Sequence, residues 1–200
     1  YLQVALTTNG LLLKKKLKSL KLAGLDRITV SLDALDSHIF KKMTDSKINP
    51  QEVLDSINLT KKMGINIKVN MVVKNGINDS EIIPMARYFK EKKILLRFIE
   101  FMDVGSTNGW KSHSVFPTEK IIRMLDHEFG TSYQGRKKMN EVSERWTYKD
   151  KSANFGTISS VTKPFCGNCS RARISSNGMI YTCLFSNHGH DLKRIIRNYK

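Results

Sequence analysis

Ile65-Asn66-Ile67-Lys68-Val69-Asn70-Met71-Val72-Val73 alternates apolar and polar residues as far as Met71 and then turns wholly apolar. Successive side chains of a strand point to opposite faces, so this segment predicts a strand with one apolar and one polar face. Helical patterns flank it: Pro50 to Met63, closed by Gly64, and Glu81 to Lys92, for which Asp79 or Ser80 offers a capping oxygen. Leu95 to Met102 is the next strand. In the other direction Ile28 to Asp33 shows the same alternation, with Thr29, Ser31 and Asp33 on its polar side. Asp36-Ser37 caps a short helix after it. Val4 to Thr8 is a first strand, followed by an amphipathic helix from Leu11 to Leu22 with Gly24 at its end.

Strands that alternate with helices predict a parallel sheet with helical crossovers. Such sheets are normally covered on both faces, so a polar face implies a wet or ligand-filled cavity, at a barrel mouth or at the C-terminal edge of the sheet. An antiparallel sheet with one face in water would alternate in the same way.

After Met102 the pattern changes. Asp103 to Trp110 is a loop of turn formers, and Phe116-Pro117-Thr118-Glu119 opens a helix that runs to Phe129. Lys137 to Ser152 is charged and carries no readable period; Asn154 to Val161 is β-prone. The division expected is 1–103 for the strand–helix region and 104–200 for a C-terminal region.

Two hundred residues, 40% of them hydrophobic, bury a core without disulfides. No apolar run approaches the roughly 18 residues of a membrane span, and no targeting stretch is visible. The formal charge of +16 suits nucleic acid, an anionic surface or a polyphosphate, but runs such as Lys14-Lys15-Lys16 and Lys61-Lys62 read first as solvated helix faces. There is no aromatic–basic RNA signature and no helix-turn-helix, which argues against nucleic acid.

All three cysteines lie in one stretch, Cys166, Cys169 and Cys183, spaced C-x2-C-x13-C. Buried or disulfide-bonded cysteines are one reading. Structural zinc is a second, with His188 or His190 as fourth ligand. The third is an iron–sulfur cluster with one iron lacking a protein ligand and free to bind substrate. Ala172 to Ile174 and Met179 to Leu184 form a hairpin about Asn177-Gly178, which is expected to bring Cys183 alongside Cys169. Arg171 and Arg173 would share a face beside the thiolates; a guanidinium is a planar fork suited to phosphate and base edges. Lys68, among apolar neighbours, calls for an anionic partner. Arg97 calls for an anion or an ion pair with Glu100 or a neighbouring acid.

The run from Phe165 to Phe185, together with Leu6-Thr7-Thr8-Asn9-Gly10, Thr29-Val30-Ser31-Leu32-Asp33, Ile67-Lys68-Val69-Asn70 and Arg97-Phe98-Ile99-Glu100-Phe101-Met102, resembles the MoaA family of radical S-adenosylmethionine (SAM) enzymes, the GTP 3',8-cyclases. The resemblance implies an α/β fold, an incomplete TIM-like barrel of parallel strands followed by a C-terminal region that carries the cysteine hairpin. It implies conversion of GTP to 3',8-cyclo-7,8-dihydro-GTP by a SAM-derived radical, the first step of molybdenum cofactor biosynthesis. A 4Fe-4S cluster on Cys166, Cys169 and Cys183 is implied, with GTP contacts at Thr7, Lys68, Arg97, Arg171, Ala172 and Arg173 and SAM contacts at Ser31 and Met102. No acid–base catalyst stands out, as expected where a cofactor carries the chemistry.

The family's C-x3-C-x2-C motif, which holds a second 4Fe-4S cluster, does not occur in these residues. The chain therefore reads as a fragment without the N-terminal cluster region and the C-terminal tail, inactive alone. Implied partners are GTP, SAM, an electron donor and, next in the pathway, a cyclic pyranopterin monophosphate synthase. A homodimer is compatible with the likeness, and the expected location is cytoplasmic, or the mitochondrial matrix in a eukaryote. The alternatives are another radical SAM enzyme with an auxiliary cluster and a zinc-ribbon nucleic-acid module.

Overall fold

The computed structural model describes residues 2–44, 48–104, 109–136 and 141–198. The chain divides into two compact units, Tyr1–Met102 with Trp110–Pro164, and Asp103–Gly109 with Phe165–Lys200.

The first unit is a seven-stranded sheet with its crossover helices. In chain order it comprises β1 (Ala5–Thr8), α1 (Leu13–Leu22), β2 (Arg27–Ser31), α2 (Ser37–Thr44), α3 (Pro50–Lys62), β3 (Asn66–Val73), α4 (Ile82–Glu91), β4 (Leu95–Glu100), α5 (Thr118–Phe129), β5 (Thr131–Gly135), β6 (Glu144–Tyr148) and β7 (Asn154–Ile158). The strand order is β1-β2-β3-β4-β7-β6-β5. β1 to β4 and β7 run parallel, as the strand–helix alternation predicts, and β5 and β6 complete the sheet antiparallel to their neighbours.

Local chemistry explains the helix starts. Asn49 Oδ1 accepts the Gln51 N–H at 2.9 Å ahead of Pro50, whose fixed φ suits a first helical position. Asp36 Oδ1 accepts the N–H groups of His38 and Ile39, as expected of an N-cap. The start of α4 differs from expectation. A 3-10 turn, Asp79–Glu81, precedes it, and no side chain caps the helix. The Glu81 carboxylate instead reaches back to the N–H groups of Leu35 and Asp36 at 2.5 and 3.1 Å.

The helix ends are closed by lysines from the preceding crossover helix. Lys21 of α1 donates to the Met63 carbonyl after α3 at 2.6 Å, and Lys61 of α3 donates to the Lys92 carbonyl after α4. A cation there also suits the negative end of the helix dipole.

One face of the sheet is apolar and buried. Val30, Val69, Met71, Leu96, Phe98 and Phe155 belong to it and share a core with Leu17 of α1, Ile57 of α3, Met85 and Phe89 of α4, and Ile121 and Leu125 of α5. Trp146 of β6 stacks on Phe155 with rings 12° apart, and its indole N–H reaches the Thr157 hydroxyl.

Glu100 closes β4 with a buried carboxylate that accepts from five donors: the N–H and hydroxyl of Thr118, the N–H of Val161, and the N–H and hydroxyl of Thr162. It thereby ties the start of α5 to the chain that leaves β7.

The C-terminal segment of the second unit carries a 3-10 turn, Cys166–Asn168, followed by β8 (Arg173–Ile174), β9 (Met179–Tyr181), β10 (His190–Asp191) and α6 (Leu192–Asn198). The three strands pair antiparallel in the order β10-β9-β8. The hairpin turns at Gly178, whose φ of +87° suits glycine, and its N–H donates to Ser175 O. No residue of α6 is buried.

Candidate functional site

Strand register assembles the polar face of the first unit. Thr7, Thr29, Lys68 and Leu95 are successive partners from β1 to β4. Two residues further along, Ser31, Asn70, Arg97 and Gly156 form the next row, from β2 through β4 to β7. Arg145 of β6 extends that row as the partner of Gly156. In-register partners share a face. Thr7, Ser31, Lys68 and Arg97 therefore lie on one side of the sheet, while the SAM candidate Met102 follows β4, half-buried.

Arg97 does not pair with Glu100. The two side chains leave β4 on opposite faces, and Arg97 Nε donates to Asn70 Oδ1 at 2.9 Å. Gly156 makes this arrangement possible. A Cβ there would stand 2.6 Å from Ser143 Oγ and 3.0 Å from Arg97 Cγ, so the missing side chain is the space that the arginine stem occupies.

The face is short of negative charge. Partial burial pulls the Lys68 ammonium below the ordinary lysine value, and Arg97, Arg145 and Arg27 add to it, against Glu141. Burial likewise lowers Arg97, which Glu141 supports and Arg27 opposes. Removing water from cations that outnumber the carboxylates beside them favours an anionic ligand.

A cavity of ≈ 340 Å³ opens beside Lys68, lined also by Gln3, Asp26, Arg27, Asn66, Ile67 and Leu95. Its size is at the lower end of small-molecule sites, roughly 300 to 1,000 Å³. It lies by the first residues of β2, β3 and β4, whereas the sequence pointed to a barrel mouth or to the C-terminal edge of the sheet. Lys68 is only the third residue of β3, so a cavity it lines opens at the strand starts.

A lone carboxylate marks the other end of β2. Asp33 accepts the Val72 N–H at 2.8 Å, and burial, opposed by that bond, raises its pKa to about 6.

In the second unit Cys166 and Cys169 sit at the two ends of one tight turn, the Cys169 N–H donating to Cys166 O at 3.2 Å. All three cysteines are exposed free thiols. The hairpin forms, but its ladder stops at Arg173↔Tyr181, two residues short of Cys183. Continued in register it would set Cys183 opposite Arg171, not Cys169. Among the described residues no three His, Cys, Asp or Glu side chains come together as a metal-holding group.

The donor chemistry of this unit nonetheless suits a thiophilic metal cluster. Bonds from Arg171 lower the Cys169 thiol toward thiolate, and Arg171 and Arg173 add favourable charge. Arg171 also lies over the Phe165 ring, 5.2 Å from its centroid. Arg173 Nη1 is buried without a hydrogen-bond partner, a donor that an anion would satisfy. Ala172, between them, is exposed.

Sequence reasoning named Lys68, Arg97, Arg171 and Arg173 but missed Asn70, Arg145 and Gly156 as parts of a site. Asn70 was within reach, since it shares a strand face with Lys68. Arg145 and Gly156 enter the row only because β7 pairs with β4.

The fold is that of an α/β protein with a mostly parallel sheet, one face of it polar. Residues 1–89 match the Radical SAM superfamily. Streptococcus suis SuiB shares the fold at 18% identity and a TM-score of 0.62, over 94% of this chain and 45% of that one; its SAM-bound structure matches at 16% and 0.61, over 95% and 45%. The chain belongs to the Molybdenum Cofactor Synthesis C family, which matches residues 94–200. It is 46% identical over 196 residues to the GTP 3',8-cyclase of Staphylococcus epidermidis, and 44% identical to that of Staphylococcus carnosus. Each alignment covers 98% of this chain and 58% of the relative, so the chain spans a little over half the length of these curated proteins.

Proposed function

We propose that this chain is the substrate- and SAM-binding portion of a GTP 3',8-cyclase of molybdenum cofactor biosynthesis. The observation that carries the reading is that the 46% identity runs across both units, the polar-faced sheet and the cysteine hairpin alike. In the first unit Thr7, Lys68 and Arg97 bind the anionic part of GTP, and Ser31 and Met102 contact SAM. In the second, Cys166, Cys169 and Cys183 hold a 4Fe-4S cluster, and Arg171, Ala172 and Arg173 contact GTP.

The bound clusters and SAM supply the radical chemistry. The residues of this chain supply position and charge. Lys68 and Arg97 neutralise phosphates on a face where partial burial strengthens every such contact. Asn70 Oδ1 fixes the Arg97 guanidinium, so little side-chain entropy is lost when an anion arrives. Only three cysteines exist in these 200 residues, all in the second unit, so a second cysteine-held cluster draws its ligands from elsewhere in the protein. No described helix is long and apolar enough to cross a membrane.

Anaerobic reconstitution of the full-length protein with iron and sulfide, followed by incubation with GTP, SAM and a strong reductant, tests the reading. The expected product is 3',8-cyclo-7,8-dihydro-GTP, formed with 5'-deoxyadenosine. Cleavage of SAM with GTP left unchanged overturns it.

A further inference from the structure

The row Ser31, Asn70, Arg97, Gly156, Arg145 crosses five strands of the first unit on its polar face. Because position 156 carries no side chain, Arg97 and Arg145 are the adjacent long side chains of that row, with Ser143 Oγ filling part of the gap. Arg145 Nη2 is 2.9 Å from Glu141 Oε1, and both side chains are partly exposed.

That ion pair does little to hold β6 in place. Pairs open to water contribute little to stability. The strand is secured by its ladder to β7 and, on the opposite face, by Trp146 stacked on Phe155. Arg145 is therefore free to serve another purpose. A carboxylate and a phosphate present the same acceptor geometry to a guanidinium fork, so a phosphate can take the place that Glu141 holds. Glu141 also acts electrostatically on both Lys68 and Arg97, which makes it the competitor that an incoming polyanion displaces.

We propose that Arg145 is a further phosphate-binding residue of the face that carries Lys68 and Arg97, and that Glu141 holds its guanidinium until a nucleoside triphosphate takes over. The inference rests on the reading of that face as the site of the GTP phosphates. It adds a third phosphate-binding cation to Lys68 and Arg97 and makes the site prefer longer phosphate chains.

The test is calorimetric binding of inorganic triphosphate, GTP, GMP and SAM to the reconstituted full chain and to Arg145→Ala, Arg145→Lys, Glu141→Gln and Lys68→Ala. Losing one charge-assisted contact weakens triphosphate about tenfold or more in Arg145→Ala, with GMP affected less and SAM unchanged. Arg145→Lys recovers part of the loss, and Glu141→Gln tightens triphosphate, a direction that a merely structural role would not produce. Wild-type triphosphate affinity in Arg145→Ala, with affinity lost in Lys68→Ala, overturns this inference and leaves the GTP reading standing. Wild-type affinity in both variants overturns both. If Arg145→Ala does not fold, Arg145→Lys decides: weaker triphosphate binding with SAM unchanged supports the assignment, and wild-type triphosphate affinity ends it.

Discussion

Thr162 donates to Glu100 twice, from its backbone N–H to Oε2 at 2.8 Å and from its hydroxyl to Oε1 at 2.6 Å. With the donors of Thr118 and Val161, both carboxylate oxygens are fully used inside the protein.

Removing that acceptor strands buried donors. Glu100→Ala is expected to destabilise the protein by about 3 kcal/mol or more in urea denaturation. Glu100→Gln should be nearly as damaging, because one oxygen becomes an NH2 that faces donors. Burial alone would raise this carboxyl, but the bonds from Thr162, Thr118 and Val161 outweigh it and hold the pKa below the ordinary glutamate value. The stability it provides is therefore complete above that ordinary value and is lost as pH falls through the folded one.

Asp33 has the opposite sign. Its pKa is raised from 3.8 to about 6, so the folded state holds the proton more tightly than the unfolded chain does. Stability associated with this group is greatest below pH 4 and declines as pH rises to about 6, by roughly 2 to 3 kcal/mol. Asp33→Asn keeps the acceptor for the Val72 N–H and removes the titration. The difference in melting temperature, variant minus wild type, should grow between pH 4 and 6 and then level off. A constant difference would contradict the assignment.

Gly156→Ala puts a methyl group 2.6 Å from Ser143 Oγ and 3.0 Å from Arg97 Cγ. The expected cost is about 1 to 3 kcal/mol by thermal or urea unfolding. Adding Ser143→Ala removes one of the two clashes and should recover part of it, which a double-mutant cycle measures directly.

Asn49→Ala takes away the oxygen that accepts the Gln51 N–H at the start of α3. A loss of about 1 kcal/mol is expected, and Asn49→Asp should retain most of the stability.

The first four strands and their helices are legible because each carries a local signal: alternation in Ile28–Asp33 and Ile65–Met71, apolar spacing in Leu11–Leu22, and glycine at Gly24 and Gly64. The polar face follows from the same alternation, which is why Lys68 and Arg97 stand out. β5 and β6 do not: β6 lies in the charged stretch and depends on pairing with β7, and β5 carries no apolar alternation and pairs with β6. Arg145 becomes a neighbour of Arg97 only through that pairing. The capping of α4 is misread for a related reason: Glu81, the expected first residue of the helix, is engaged with Leu35 and Asp36 from a distant loop. The hairpin is legible from Asn177-Gly178, but how near the sulfurs lie depends on where the ladder ends, and spacing does not encode that.

The lysines that close α3 and α4 carry an implication for biosynthesis. Lys21 precedes Met63 in the chain, and Lys61 precedes Lys92. During vectorial synthesis each closing ammonium has left the ribosome before the carbonyl it serves, so these two helices emerge after the cation that stops them.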